Sequence, residues 1–321
     1  MCLYPRFFKN KKYLPNKKNG YNPPKPKDWR TLYVPVKCGE CEECRKALAR
    51  EWTIRLEEEL KENKGWYITM TFSEESLIKL DETTEEGHEY RDNEIATKAM
   101  RLFLERWRKK YTKSMKHMFI TELGHEGTER IHLHGIIFTE DENKIAQLKK
   151  IWKYGWVSIG EYCNGKTIGY ITKYITKTDL DHPLFKGKIL ASDGIGKGYL
   201  KREKTLNQYR GKETKEYYLH DNGSKSSLPI YYRNHIYTEE QREKLWINKL
   251  DEGTRYITGT KYDFKTKEDI ANFYNALKIA QKDNKKHGYK EIKWELKDYK
   301  IDIEKLNNYE NFIKNWENDQ V

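Results

Sequence analysis

The chain has 321 residues, 36% of them hydrophobic and 35% charged, with 62 basic against 50 acidic side chains for a net charge of +12. Aromatic residues make up 13%, including 24 Tyr and 9 Trp, which is enough to bury and excludes disorder throughout. The basic excess favours a polyanionic partner, nucleic acid first, through counterion release, although a basic but otherwise ordinary surface fits the same number.

No apolar run approaches the roughly 18 residues of a membrane span, and the first residues lack the apolar stretch of a signal peptide. Five cysteines, three of them clustered, do not read as a disulfide framework. The expected setting is therefore a reducing cytosol, away from membranes.

In chain order, residues 1–37 are rich in Lys, Asn and Pro and read as an extended arm with little core of its own, with a short strand near Tyr33 to Val36. Leu48, Trp52, Leu56 and Leu60 recur every four residues, which predicts an amphipathic helix over about 42–62. A strand follows at 66–72, with Tyr67, Thr69 and Thr71 on one face and Ile68 and Met70 on the other. Residues 73–93 read as a polar, acidic connection, and a second helix spans about 93–111. The basic end of that helix, Arg106, Arg108, Lys109 and Lys110, is either a DNA contact or a solvated, dipole-compensating C-terminus.

Residues 117–124 and 130–139 predict a β-hairpin around Gly127, followed by a helix at about 142–152, a strand at 155–159 and a helix at about 167–178. The stretch 192–198 reads as a flexible glycine loop, with Lys197 a further candidate DNA contact. A strand within 214–219, a helix at 238–250 and a charged, helical tail over 255–321 complete the reading. Strands separated by helical patterns suggest an α+β domain with a mainly antiparallel sheet covered by helices.

Within Ile131-His132-Leu133-His134, strand alternation points both imidazoles to one face, where together they can bind one divalent ion if a third ligand joins them. If the hairpin pivots near Gly127, Glu122 lies opposite His132 on the same face; His125 and Glu126 are alternatives. Two imidazoles and a carboxylate would leave positions for a phosphate oxygen and water on Mg²⁺ or Mn²⁺. Taken alone, the pair also fits a polar patch on a strand.

Tyr170 and Tyr174 lie one helical turn apart, with Lys173 and Lys177 on the same broad face, while Ile168, Ile171 and Ile175 form a separate apolar face. A tyrosine hydroxyl can attack phosphorus to form a phosphotyrosine, with the lysines neutralising the phosphate or steadying the leaving group. The same pattern fits a surface helix with amphipathic tyrosines.

The two motifs occur in this order about 36 residues apart, an arrangement that resembles the HUH endonucleases, named for His–hydrophobe–His. More narrowly, the doubled Tyr-x-x-Lys-Tyr-x-x-Lys pattern is similar to that of replication initiators of microviruses, the small single-stranded DNA phages. Met1-Cys2-Leu3-Tyr4-Pro5, Cys38-Gly39-Glu40-Cys41-Glu42-Glu43-Cys44-Arg45, Ile195-Gly196-Lys197-Gly198-Tyr199 and Leu228-Pro229-Ile230-Tyr231-Tyr232-Arg233 resemble the gokushovirus-like members. The resemblance covers roughly residues 1–250.

It implies metal ligation by His132 and His134, with a third ligand that varies among members, so that Glu122 rests on strand pairing alone. Tyr170 and Tyr174 become the nucleophiles of a rolling-circle initiator. One cuts the origin strand, keeping the 5′-phosphate and releasing a 3′-OH primer; the other cuts the regenerated origin so that the ends can be joined. The strand at Thr69-Met70-Thr71-Phe72 corresponds to the family's first motif. The implied fold is a five-stranded antiparallel sheet with flanking helices, of the RNA-recognition-motif-like type. Single-stranded origin DNA and the host replication machinery are the implied partners, in the cytoplasm of a bacterium carrying the phage or prophage.

Cys38, Cys41 and Cys44 are close enough in sequence to share one soft ion, and Cys2 completes a tetrahedral Zn²⁺ site if the arm folds back. The alternative is a set of free thiols at a helix start. The expected organisation is an arm, cysteine cluster and first helix over 1–62, a nuclease core over 63–185, an extension over 186–254 and the tail over 255–321. A plasmid initiator or transposase would share the histidines, and a non-catalytic, zinc-stabilised nucleic-acid-binding protein would share the charge and the cysteines.

Overall fold

The computed structural model describes residues 1–82, 91–124, 129–183, 185–202, 206–289 and 292–295. The chain divides into a terminal unit (Met1–Arg45, Thr205–Tyr217, Arg233–Val321) and a central unit (Lys46–Lys204, Tyr218–Tyr232).

The chain opens with β1 (Arg6–Lys9) paired antiparallel to β2 (Tyr33–Val36), and α1 (Glu42–Leu60) follows, carrying the division between the units within its first turns. The central unit then runs through β3 (Gly65–Met70), α2 (Glu74–Asp81), α3 (Arg91–Tyr111), β4 (Lys116–Leu123) and β5 (Ile131–Phe138). It continues through α4 (Glu142–Ala146), α5 (Leu148–Trp152), β6 (Val157–Tyr162), α6 (Gly165–Thr176), β7 (Ile189–Ala191) and α7 (Tyr199–Arg202). Five strands form one sheet in the order β6-β3-β5-β4-β7, every neighbour antiparallel. The fold is thus α+β, with a five-stranded antiparallel sheet flanked by helices.

Strand alternation sorts the core into two layers. Ile68 and Met70 of β3, Phe119 of β4 and Leu133 and Ile137 of β5 face Ala99, Phe103 and Trp107 of α3 together with Trp152 of α5. Met118, Ile120, Ile136 and Phe138 point the other way, onto Leu56 of α1 and Ile168, Ile171 and Ile175 of α6. His132 and His134 share the parity of Ile136, so they lie on the α6 side of the sheet.

Several expectations change. The polar connection at 73–93 contains α2, started by the Ser73 side chain accepting from the Ser76 N–H. The helix expected at 142–152 is two short ones, joined at Gln147. The hairpin turn at Gly127, with His125 and Glu126, lies outside the described residues.

The stretch 192–198 is not a free loop. Ile195 is fully buried, the Gly196 N–H donates to Glu59 Oε2 at 2.8 Å, and the Tyr232 hydroxyl donates to the Gly196 carbonyl at 2.9 Å. Gly196 has a positive φ of 74°, and a Cβ there would stand 2.6 Å from the Arg55 carbonyl, so only glycine lets this backbone lie against α1.

After β8 (Tyr217–Leu219) and β9 (Lys225–Ser227) come α8 (Ile230–Ile236) and α9 (Glu239–Glu252). The segment expected as a purely helical tail opens instead with an antiparallel hairpin, β10 (Thr254–Ile257) and β11 (Thr260–Asp263), before α10 (Lys267–Lys286). These elements also correct the picture of an arm with little core. Cys2, Leu3, Tyr4, Cys41 and Cys44 pack with Ile257, Phe273, Tyr274, Leu277 and Ala280 in one buried cluster of the terminal unit. Fully buried Asn284 accepts from the Glu42 N–H at 2.8 Å, satisfying a donor at the start of α1 from the far end of the sequence.

Candidate active site and cysteine cluster

The site is built where β3, β4, β5 and α6 meet. β4 and β5 pair with Glu122 opposite His132 and Ile120 opposite His134, and β3 places Thr69 opposite His134 on the other side. α6 begins at a capping box in which Asn164 accepts from the Lys166 and Thr167 N–H groups, and Thr167 returns the bond to Asn164. Its three isoleucines are buried against the sheet. Each contributes about 1.5–3 kcal/mol, an upper range that makes the docking of this helix firm.

That docking sets the tyrosines. The rings of Tyr174 and His134 stack with centroids 4.8 Å apart and planes 5° from parallel. The Tyr174 hydroxyl donates to the Tyr170 hydroxyl at 2.6 Å, and Tyr170, 50% exposed, meets the Tyr67 ring edge-on at 5.9 Å. Burial, and then the bond to Tyr170, pushes the Tyr174 phenol well above its usual range, so it is neutral at physiological pH. Burial likewise pushes Tyr67 up to about 12.

His134 is held at both nitrogens. Nε2 lies 3.0 Å from Glu122 Oε2, while Nδ1 faces the hydroxyls of Tyr67 and Thr69 at 3.0 and 3.1 Å. When Nδ1 carries the proton and donates to either hydroxyl, Nε2 keeps its lone pair for a metal. Burial, and then the neighbouring His134, draws the His132 imidazole below its usual value and keeps it neutral. Burial would lift the Glu122 carboxyl, but bonds from His134 and Lys177 outweigh it and hold Glu122 as an anion below the usual range.

The donors suit a divalent ion in chemistry. Two ligands about 2.1 Å from one ion at right angles stand about 3 Å apart, which is the spacing of Nε2 and Oε2. His132 is less closely engaged, its ring centroid 6.2 Å from that of His134.

Lys177 is the C-cap of α6, in extended conformation, rather than a residue of the helix. From there its ammonium reaches Glu122 and lies 5.9 Å from the centre of the Tyr174 ring. Lys173 is exposed on the helix. Tyr67 and Thr69 are the participants that sequence reasoning missed. Their shared face was legible, but pairing of β3 with β5 is what brings them to His134.

Other expected contacts are not brought to this site. Arg106 donates to the Ile151 carbonyl at 3.0 Å and to the Tyr154 hydroxyl at 3.1 Å, so its guanidinium is spent on packing. Arg108, Lys109 and Lys110 are exposed but belong to α3, across the sheet from the histidines. Lys197 is exposed on the segment that packs on α1.

In the terminal unit, Cys2, Cys38, Cys41 and Cys44 converge, with their sulfurs all within 4.8 Å of one another. They are free thiols, and they form the one such group of three or more His, Cys, Asp or Glu among the described residues; His132, His134 and Glu122 are not drawn in so tightly. The Cys38 and Cys44 sulfurs are 3.8 Å apart, matching the edge of about 3.8 Å that four 2.3 Å bonds to tetrahedral zinc require. Backbone N–H groups of Leu3, Cys38 and Cys41 donate to Cys41, Cys2 and Cys38 sulfur at 3.3–3.4 Å, which favours thiolates. The cluster could hold a metal such as zinc.

Residues 65–179 match the family model of the replication-associated protein ORF2. The matched segment is a little over a third of the chain, runs from β3 to just past α6 and contains every residue of the tyrosine–histidine site. It supports a replication initiator and hence DNA as the partner. No curated protein and no solved structure matches the chain. No helix among the described residues is long and apolar enough to cross a membrane.

Proposed function

We propose that this chain is an HUH-type endonuclease that nicks and rejoins single-stranded DNA to start rolling-circle replication, with residues 63–185 as its core. The observation that carries the reading is the Tyr174 ring lying on His134, which sets a phenolic nucleophile beside a histidine whose Nε2 faces a carboxylate. The replication-associated family match over the same residues supports it.

In this reading His134, Glu122 and His132 hold Mg²⁺ or Mn²⁺, which polarises the scissile phosphate. A tyrosine oxygen, Tyr170 or Tyr174, bonds to phosphorus as the bond to the 3′ oxygen breaks. That oxygen takes up a proton and leaves as a 3′-OH primer, while the 5′-phosphate stays on the tyrosine. The second tyrosine cuts the regenerated origin in the same way. The 3′-OH it frees attacks the first phosphotyrosine, closing the strand and restoring the phenol. Lys173 and Lys177 offset charge on the phosphate, and Lys177 must let go of Glu122 to do so.

Cys2, Cys38, Cys41 and Cys44 hold a structural Zn²⁺ in the terminal unit. The arm's resemblance to gokushovirus-like initiators points to a phage or prophage protein that works in the host cytoplasm with the host replication machinery. Incubating the chain with origin-bearing single-stranded DNA and Mn²⁺ tests the reading. A DNA–protein adduct that survives a denaturing gel is expected, and its absence across a broad oligonucleotide set in the presence of metal contradicts it.

A further inference from the structure

Trp156 is 63% exposed, a large indole left open on a protein whose neighbouring tryptophans are packed. Trp152 is buried between Phe72, Phe103 and Tyr154, and Trp66 lies against Tyr162. The Trp156 backbone, by contrast, is fixed: its carbonyl accepts from the Thr71 N–H at 2.9 Å and its N–H donates to Thr71 Oγ1 at 3.0 Å. Gly155 makes this approach possible, because a Cβ there would sit 2.4 Å from the Thr71 carbonyl.

Parity and register say which way the indole faces. Val157 is buried in the layer beneath α3, so Trp156 and Ser158 belong to the opposite face, that of the histidines. Ser158 pairs with Thr69, and Thr69 with His134. One step along, Trp156 stands beside Thr71 in the row that leads to His132 and Glu122. Two strand spacings, about 10 Å, separate Trp156 from His132 across the sheet.

We propose that Trp156 is the floor of a nucleobase-stacking subsite, holding a base of single-stranded DNA next to the phosphate engaged by the histidine–tyrosine site; the proposal rests on single-stranded DNA being the substrate of that site. A rigid backbone under an open indole is what stacking needs, since the ring loses little freedom when the base arrives.

The test uses the full-length chain with Tyr170→Phe and Tyr174→Phe introduced, so that binding is read without chemistry. The probe is a fluorescent, random-sequence single-stranded DNA pool followed by anisotropy. Trp156→Ala should weaken binding roughly tenfold to a hundredfold, the loss of one base–aromatic stack, and Trp156→Phe should restore most of it. In the cleavage-competent chain, Trp156→Ala should raise KM and leave kcat within about twofold. Equal affinity of Trp156→Ala and its parent, or a Trp156→Phe variant no better than Trp156→Ala, overturns the proposal. A binding loss in Trp156→Ala rescued by Trp156→Phe supports it even if the parent chain forms no adduct, in which case it is the nickase reading that falls.

Discussion

His134 and Tyr174 lie ring on ring, 4.8 Å between centroids and 5° from parallel, although one comes from β5 and the other from α6. The contact depends on His134 keeping its ring plane, which the hydroxyls of Tyr67 and Thr69 secure at Nδ1. Replacing both, as Tyr67→Phe with Thr69→Val, should weaken divalent-ion affinity about 10- to 100-fold, the usual cost of losing a histidine's outer partner. Titrating Mn²⁺ against adduct yield reads the shift. An unchanged half-saturating concentration would mean that His134 is not a ligand.

Glu122 carries both His134 and the Lys177 ammonium, so a metal and Lys177 compete for one carboxylate. The two substitutions should therefore act in opposite directions. Glu122→Gln should lower Mn²⁺ affinity by more than the Tyr67/Thr69 double variant does. Lys177→Gln should raise it, even while slowing cleavage through loss of a cation at the phosphate. Calorimetric Mn²⁺ titration of each variant separates these signs; weaker binding in Lys177→Gln argues against shared use of Glu122.

Elemental analysis of the purified chain should find one zinc per molecule. Cys41→Ser should lose it and unfold the terminal unit at markedly lower temperature, since metal binding in such clusters is folding free energy. Its buried neighbours Leu3, Phe273 and Leu277 make the loss cooperative. Full stability of Cys41→Ser in a strong chelator would leave the four sulfurs without a structural metal.

Acid should act on the terminal unit through Glu216. Burial alone would lift its carboxyl, but Lys249 and Arg233, each at 2.6 Å, hold it below the usual range. A carboxyl depressed in the folded state adds stability that is complete above its unfolded value, about 4.3, and lost as pH falls through the folded value. Glu216→Gln should therefore cost stability at pH 7 and flatten the decline below about pH 4.3. Urea unfolding across that range measures both; parallel curves for the two chains would contradict the assignment.

Local periodicity made much of this legible. Alternation in β5 and the isoleucine stripe of α6 place His132, His134, Tyr170 and Tyr174 on the right faces, because both patterns need only neighbouring residues. What depends on distant partners was not legible. β7 is three residues long and exists only by pairing with β4. The 192–198 stretch looks flexible by composition because its partners, Arg55 and Glu59, lie on α1, far away in sequence. The arm looks coreless because its core is supplied by residues 257–280. Tyr67 and Thr69 had a face but no role until the strand order put β3 beside β5.

The central claim is that Tyr170 and Tyr174 form the covalent bond to DNA. Peptide mapping of the adduct formed with origin-bearing single-stranded DNA and Mn²⁺ tests it most directly, in the parent chain and in Tyr170→Phe, Tyr174→Phe and the double variant. The account predicts a 5′-phosphotyrosine on one or both residues in the parent. Each single variant should retain at most the other adduct, and the double variant none. An adduct on any other residue, or one that persists in the double variant, would contradict it.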